Sequence, residues 1–220
     1  MLYDETAVKA NIRNREGKRV FFLRKEDTLT PSARDYLSRE RIAVLPAEQA
    51  KIQRYRLLGG GFTEEKPEDM THLHGDVLVS KTHPRIRFRG AVDTLEAELL
   101  LCGSSVGEVL QLVRRLIRCD VLGEPVGDVT LFGLTEAQQR SHSHFPQDHY
   151  GIPHFMPDFS DSPQLLRLNR ARCAARAAEL AAVEAFSNAD GVLTREDIPK
   201  ALNRVSSMLY ILMIREKAKS

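Results

Sequence analysis

Cysteine is scarce and poorly spaced for cross-linking. The 220-residue chain has three, Cys102, Cys119 and Cys173, with no CxxC pair. That disfavours both a disulfide framework and a cysteine-based zinc site, and a reducing cytoplasm is the expected setting. No apolar run approaches the roughly 18 residues of a membrane span, and no charged-then-apolar leader opens the chain, so neither membrane insertion nor secretion is expected. The formal net charge, +2, is too small to suggest general nucleic-acid binding. Internal repeats and low-complexity tracts are also missing. What remains, 42% hydrophobic and 28% charged residues, is the composition of a soluble globular protein: one domain, or one domain with a small appendage. The charge is uneven. Residues 1–90 carry 18 basic and 13 acidic side chains, residues 91–220 carry 14 and 17. This fits either ordinary surface asymmetry or a polyanionic ligand near the first half.

The first 45 residues read as a small α/β unit. Residues 19–23 (RVFFL) and 41–45 (RIAVL) are short β-prone runs. Between them Thr30 and Pro31 mark a helix start, as N-cap and first helical residue. Residues 46–70, with Gly59-Gly60-Gly61 and Pro67, read as a linker or mobile loop. From about residue 84 the pattern turns helical. Val92, Leu95, Leu99 and Leu100 form one stripe in a helix expected to begin near Gly90. A capping-box pattern at Ser105–Glu108 precedes Val109, Leu112, Val113, Leu116 and Ile117. Residues 123–162 form a long connection rich in His, Pro and Phe, a length more often functional than idle. An Ala-rich helix opened by Ser162-Pro163 and a last helix led by residues 194–197 complete a bundle. The expected division is 1–70 for the α/β region and linker, and 71–220 for the bundle.

Three elements carry candidate chemistry. Arg172 and Arg176 stand i, i+4 on the Ala-rich helix with Glu179 one turn on, a face able to grip phosphates or carboxylates, or simply a solvated arginine stripe. Asn203 and Arg204 interrupt the apolar last helix, where an unpartnered polar pair is costly. Lys81, Arg85, Arg87 and Arg89 precede the helix expected near Gly90, where positive groups add to an anion site at a helix start, and Asp93 follows in its expected first turn. His142, His144, His149 and His154 fall within 13 residues and suit either a transition metal or local hydrogen bonding. No carboxylate or cysteine completes a recognised ligand spacing, so no metal site is assigned. Phe145, Phe155 and Phe159 interleave them and offer an apolar face to a planar macrocycle.

Taken in order, the run 81–93, residues 122–127 (LGEPVG), Arg-x3-Arg-x2-Glu and Leu-Asn-Arg-Val-Ser-Ser with Tyr210 after it resemble the ATP:corrinoid adenosyltransferases. With residues 71–73 (THL) and 29–34 (LTPSAR), they look most like the ethanolamine-utilisation branch, related to the propanediol-utilisation type. The resemblance covers most of the chain. It implies a mainly α fold, a cobalamin-adenosyltransferase-like bundle of about five helices with a small N-terminal α/β appendage. It also implies transfer of the 5′-deoxyadenosyl group of ATP to cob(I)alamin, with Mg²⁺, in support of ethanolamine ammonia-lyase. Catalytic roles would fall to Arg172, Arg176 and Asp93, with Asp93 pairing with Arg172 across a subunit boundary. Binding roles would fall to Lys81, Arg85, Arg89, Asn203, Arg204, His154, Phe145 and Phe155, the two aromatics on the lower corrin face.

The resemblance also implies a homo-oligomer with sites between subunits, a trimer by family habit with a dimer as the alternative. The expected partners are a reductase and the ammonia-lyase, and the expected location is the cytoplasm or a bacterial microcompartment. Two features depart from it. The Thr-x-x-Gly-Asp-x-Gly loop of the propanediol branch is missing, which leaves the phosphates to Lys81 and its neighbours. So is the His…Cys-Cys-x-x-Cys cluster of some ethanolamine-branch members. The rival expectations are a non-catalytic microcompartment scaffold and a His-rich metal-binding bundle.

Overall fold

A computed structural model describes residues 1–15, 18–49 and 55–219. It divides into two compact units, Met1–Arg54 and Tyr55–Ser220.

In the first unit, β1 (Leu2–Tyr3) pairs in parallel with β4 (Thr28–Leu29), and β3 (Lys18–Leu23) lies between β2 (Arg13–Arg15) and β5 (Ala43–Pro46). Helix α1 (Glu5–Ala10) is capped by Asp4. Helix α2 (Pro31–Arg39) is capped by Thr30, whose hydroxyl accepts from Ala33 N–H at 3.2 Å, with Pro31 in its first turn as the sequence predicts. Val8, Phe21, Ala33, Leu37 and Ile42 form its small core.

The second unit opens with a four-stranded sheet in the order β7-β6-β9-β8. Its strands are β6 (Tyr55–Leu57), β7 (Phe62–Thr63), β8 (Met70–His74) and β9 (Val77–Ser80). Part of the stretch expected as a linker is therefore strand, since residues 55–63 pair onto β9 and onto each other. The units part at 54/55, ahead of the expected 70/71. Of the expected linker, residues 50–54 lie outside the described residues.

Six α-helices follow: α3 (Pro84–Leu101), α4 (Gly107–Leu122), α5 (Glu136–His144), α6 (Pro146–Tyr150), α7 (Pro163–Phe186) and α8 (Asp197–Lys217). Helix α3 begins six residues before Gly90. Pro84 supplies the preset first-turn geometry and the His83 ring caps it, accepting from Arg85 N–H at 3.2 Å. Asp93 consequently lies in the third turn, not the first. Between α3 and α4 a 3-10 turn spans Gly103–Val106, so the expected capping box does not form. The Ser105 hydroxyl donates to the Cys102 carbonyl instead, and α4 starts with no side-chain cap. Two short helices, α5 and α6, occupy the expected long connection. Thr135 and Gln138 cap the first reciprocally, a pattern legible in the sequence but not used there.

The core of this unit lies among α3, α4, α7 and α8. Helix α7 contributes Ala171, Ala175, Ala178 and Ala182, all fully buried. Among the described residues no helix is long and apolar enough to cross a membrane.

One ionic cluster ties the sheet to the helices. Asp120, near the end of α4, has no exposed side-chain surface and faces two arginines of α3. Arg85 Nε donates to its carboxylate at 3.0 Å and Arg89 Nε at 2.8 Å. Arg89 also donates to the Leu73 carbonyl of β8 at 2.8 Å, and Arg85 lies over the Phe186 ring of α7. Removing one member of a buried ion cluster leaves charge without a partner. Asp120→Ala should lower stability by about 3–5 kcal/mol, read from the urea midpoint. A loss below about 1 kcal/mol would show that the cluster behaves as a surface pair.

Candidate active site

Arg172 and Arg176 project from the third and fourth turns of α7 toward α8, one residue past Ala171 and Ala175 of its buried face. On α8, Asn203, Ser206, Ser207 and Tyr210 recur at helical spacing and face them. The two helices, the C-terminal end of α5 (Ser143, His144) and the segment His154, Phe155, Pro157 enclose a cleft of about 370 Å³. This is within the range of small-molecule sites, roughly 300–1,000 Å³. The cleft lining includes two guanidiniums and no carboxylate, which favours an anionic ligand.

Tyr210 is the organising residue of one wall. Its hydroxyl accepts from Phe155 N–H at 3.3 Å and lies 3.1 Å from His154 Nδ1, and the two rings stack 5.6 Å apart. His154 Nε2 lies 3.0 Å from the His144 carbonyl. A carbonyl only accepts, so Nε2 carries a proton and donates to it, and in the singly protonated ring Nδ1 accepts from the Tyr210 hydroxyl. Three segments are thereby joined by one hydrogen-bond chain. Arg172 adds a cation–π contact to the same ring, 5.9 Å from its centroid, and donates to Asn169 Oδ1 at 3.1 Å. Tyr210, Ser206 and Ser207 carry no role in the sequence reading. Their spacing from Asn203 on an otherwise apolar helix is the signal that could have found them.

Behind the cleft surface, Asn203 Nδ2 donates to Glu179 Oε1 at 3.0 Å, and the Asn203 oxygen accepts from Arg204. Arg204 is buried and does not line the cleft. Burial holds its guanidinium below the usual arginine range, with a further contribution from Arg140. Its Nε, like Oε1 of buried Gln139, finds no protein partner among the described residues.

The other expected residues are not brought to this cleft. Arg85 and Arg89 are held by Asp120 on the far partners described above, because a fully buried carboxylate needs that compensation more than a surface anion would. Lys81 is exposed beyond β9, and its N–H closes the hairpin on the Asp69 carbonyl at 2.8 Å. Asp93 is exposed on α3 and makes no ion pair within the chain among the described residues. Of the aromatics, Phe155 lines the cleft, whereas Phe145, at the α5–α6 corner, is 58% exposed and Phe159 fully so. Among the histidines, His142 and His149 stack at 3.8 Å, with His142 Nδ1 2.8 Å from the Tyr150 hydroxyl. No group of three or more His, Cys, Asp or Glu able to hold a metal occurs among the described residues.

Fold and cleft together define a helical bundle with a basic small-molecule cleft between two long helices. Comparison with known proteins narrows the class. The family model for cobalamin adenosyltransferase matches residues 62–216. The corrinoid adenosyltransferase EutT of Salmonella typhimurium is 28% identical over 246 aligned residues, covering 98% of this chain and 92% of that protein. EutT of Escherichia coli K12 is 31% identical over 158, covering 68% of this chain and 59% of that protein. No solved structure matches. The chain belongs to the cobalamin adenosyltransferase family.

His142, beside the cleft wall, makes stability depend on pH. Desolvation, then His149 and Arg215, hold His142 below the ordinary histidine value. The unfolded chain takes up that proton first, so stability is full at neutral pH and falls as pH drops through the unfolded histidine value, about 6.5. His83, lowered by burial and Arg85, acts with the same sign. His142→Gln should therefore flatten, without abolishing, the decline in melting temperature between pH 7 and 5. An unchanged slope would remove His142 from the linkage.

Proposed function

We propose that this protein moves the 5′-deoxyadenosyl group of ATP onto cob(I)alamin and supplies adenosylcobalamin to ethanolamine ammonia-lyase in ethanolamine catabolism. The observation that carries this is the convergence of Arg172, Arg176 and Asn203 on one cleft, in a chain of this family. In the reaction, cobalt attacks C5′, the C5′–O bond breaks, and the polyphosphate leaves with the electron pair. A leaving polyphosphate demands fixed positive charge in a site shielded from water, which Arg172 and Arg176 supply. Reactant alignment demands a rigid frame, and both arginines sit on a 24-residue helix. Phe155, held by Tyr210, is the candidate to press on the lower corrin face.

Mg²⁺ would arrive with ATP. The cleft lining has no carboxylate, so phosphate oxygens and water would provide its ligands. Asp93, exposed and without an ion-pair partner within the chain among the described residues, is the candidate to meet Arg172 of a second copy, which would set the site at a subunit boundary. A cytoplasmic or microcompartment location follows from the same assignment.

The decisive assay is anaerobic: purified protein, ATP, cobalamin and a strong reductant, followed by the spectral change from cob(I)alamin to adenosylcobalamin. No conversion would overturn the assignment. Arg172→Ala and Arg176→Ala should each lower turnover at least tenfold, about 1.4 kcal/mol of transition-state stabilisation. Near-normal kinetics in both folded variants would take them out of the site. Asp93→Asn should weaken assembly or activity about as much as Arg172→Ala, and the double variant should lose less than the sum. Strict additivity would show that the two do not touch.

A further inference from the structure

The partners of Asn203 are chemically single-valued. A guanidinium only donates and a carboxylate only accepts. Arg204 therefore holds the amide oxygen, and Glu179, 3.0 Å from Nδ2, holds the amide nitrogen. Turning the amide over would set NH₂ against guanidinium and oxygen against carboxylate, two repulsive contacts in a half-buried place. The amide is thus fixed in one of its two flip states. What it has left for the cleft it lines is one N–H and one oxygen lone pair, in a set order.

That order matters for a purine. Adenine presents a donor at its 6-amino group beside an acceptor at N1 or N7, and an amide pairs with such an edge through two hydrogen bonds. Hypoxanthine, with a 6-oxo group and a proton on N1, presents the reverse order on that edge and two acceptors on the N7 edge. A freely flipping amide accommodates either base; a locked one discriminates.

We propose that Glu179 and Arg204 are positioning residues that lock Asn203 and so set the preference for an adenine nucleotide over a 6-oxopurine nucleotide. This rests on Asn203 as a nucleotide contact in the proposed reaction. Arg204 reaches the substrate only through Asn203, which accounts for a buried guanidinium that does not line the cleft. Its other hydrogen bond runs to the Glu136 carbonyl of α5 at 3.4 Å.

The test compares kcat/KM for ATP and ITP in the wild-type protein, Glu179→Gln, Arg204→Gln and the double variant. A glutamine at either place can both donate and accept, so each single variant removes one of the two repulsive contacts of the flipped amide and the double variant removes both. Each single variant should narrow the ATP:ITP ratio at least threefold and the double variant at least tenfold, in part through an absolute gain on ITP that structural damage would not produce. An unchanged ratio in folded Glu179→Gln, or a ratio that narrows only through loss on ATP, would overturn the lock. If Arg204→Gln fails to fold, Glu179→Gln alone decides. Asn203→Ala separates the two levels. A raised KM for ATP in that variant with an unchanged ratio in Glu179→Gln defeats the lock only. An unchanged KM for ATP shows that Asn203 does not touch the nucleotide and defeats both this inference and that site assignment.

Discussion

The alanine face of α7 is the constraint on which the second unit is built. Ala171, Ala175, Ala178 and Ala182 repeat at spacings of four, three and four and are wholly buried. Helix separation follows the size of the side chains at the contact, so a face of methyl groups lets α3 and α8 come in close on either side. Leu165 and Leu168 are buried toward one end of α7 and Phe186 at the other. Close approach fixes where the neighbouring polar residues go. Arg172 and Arg176 each follow a seam alanine, and Asn203 follows buried Leu202 on α8, so the same packing that hides the alanines presents the arginines and the amide to one cleft. A bulkier residue in the seam would act on the cleft without touching it.

Charge is divided between scaffold and site. The α3 arginines look, in sequence, like an anion site at a helix start. The buried carboxylate of Asp120 claims Arg85 and Arg89, and the remaining donors of Arg89 hold the β8 backbone. Arg172 and Arg176 of α7 have no such claimant, although their neighbour Arg170 pairs with Glu98: among the described residues Arg172 meets the Asn169 amide and the Tyr210 ring. What distinguishes a structural arginine from an available one here is the identity of its partner, a carboxylate with no exposure in one case and neutral groups in the other. Spacing along the chain carries none of that information, because Asp120 lies 31 and 35 residues away from the two it holds.

Much of the helical frame was legible because its ends are marked chemically. Thr30-Pro31 and Ser162-Pro163 both open helices where expected, and Gly123, left-handed after Leu122, closes one. Helix α3 starts at Pro84, where the helical pattern sets in, and not near Gly90, where the charge run would put its first turn. The helices α5 and α6 were hidden by weak amphipathicity in a His- and Pro-rich stretch, although Thr135 and Gln138 announce the first of them. Strands as short as β6 and β7 hold together by pairing, β7 on β6 and β6 on β9, which no local pattern reports. In the cleft, Arg172, Arg176 and Asn203 were legible as polar groups on helices with apolar faces. For Tyr210 the spacing from Asn203 is a weak signal, because an aromatic in an aliphatic run also looks like core, and only the fold brings His154 and Phe155 to its hydroxyl.

The polar groups of the cleft are carried chiefly by long helices, and the one irregular wall is tied back to them. This matches what the proposed reaction would ask of each part. Groups that neutralise a leaving polyphosphate act best when they need no rearrangement at the moment of reaction, and a guanidinium rooted in a packed helix meets that condition. A surface that receives a large macrocycle must instead admit it, and an extended segment fastened by a few hydrogen bonds can yield where a helix cannot. The chain from Phe155 N–H through the Tyr210 hydroxyl to His154 and the His144 carbonyl has that character. It comprises three bonds, each worth about 1 kcal/mol net, enough to order the strap and few enough to release it.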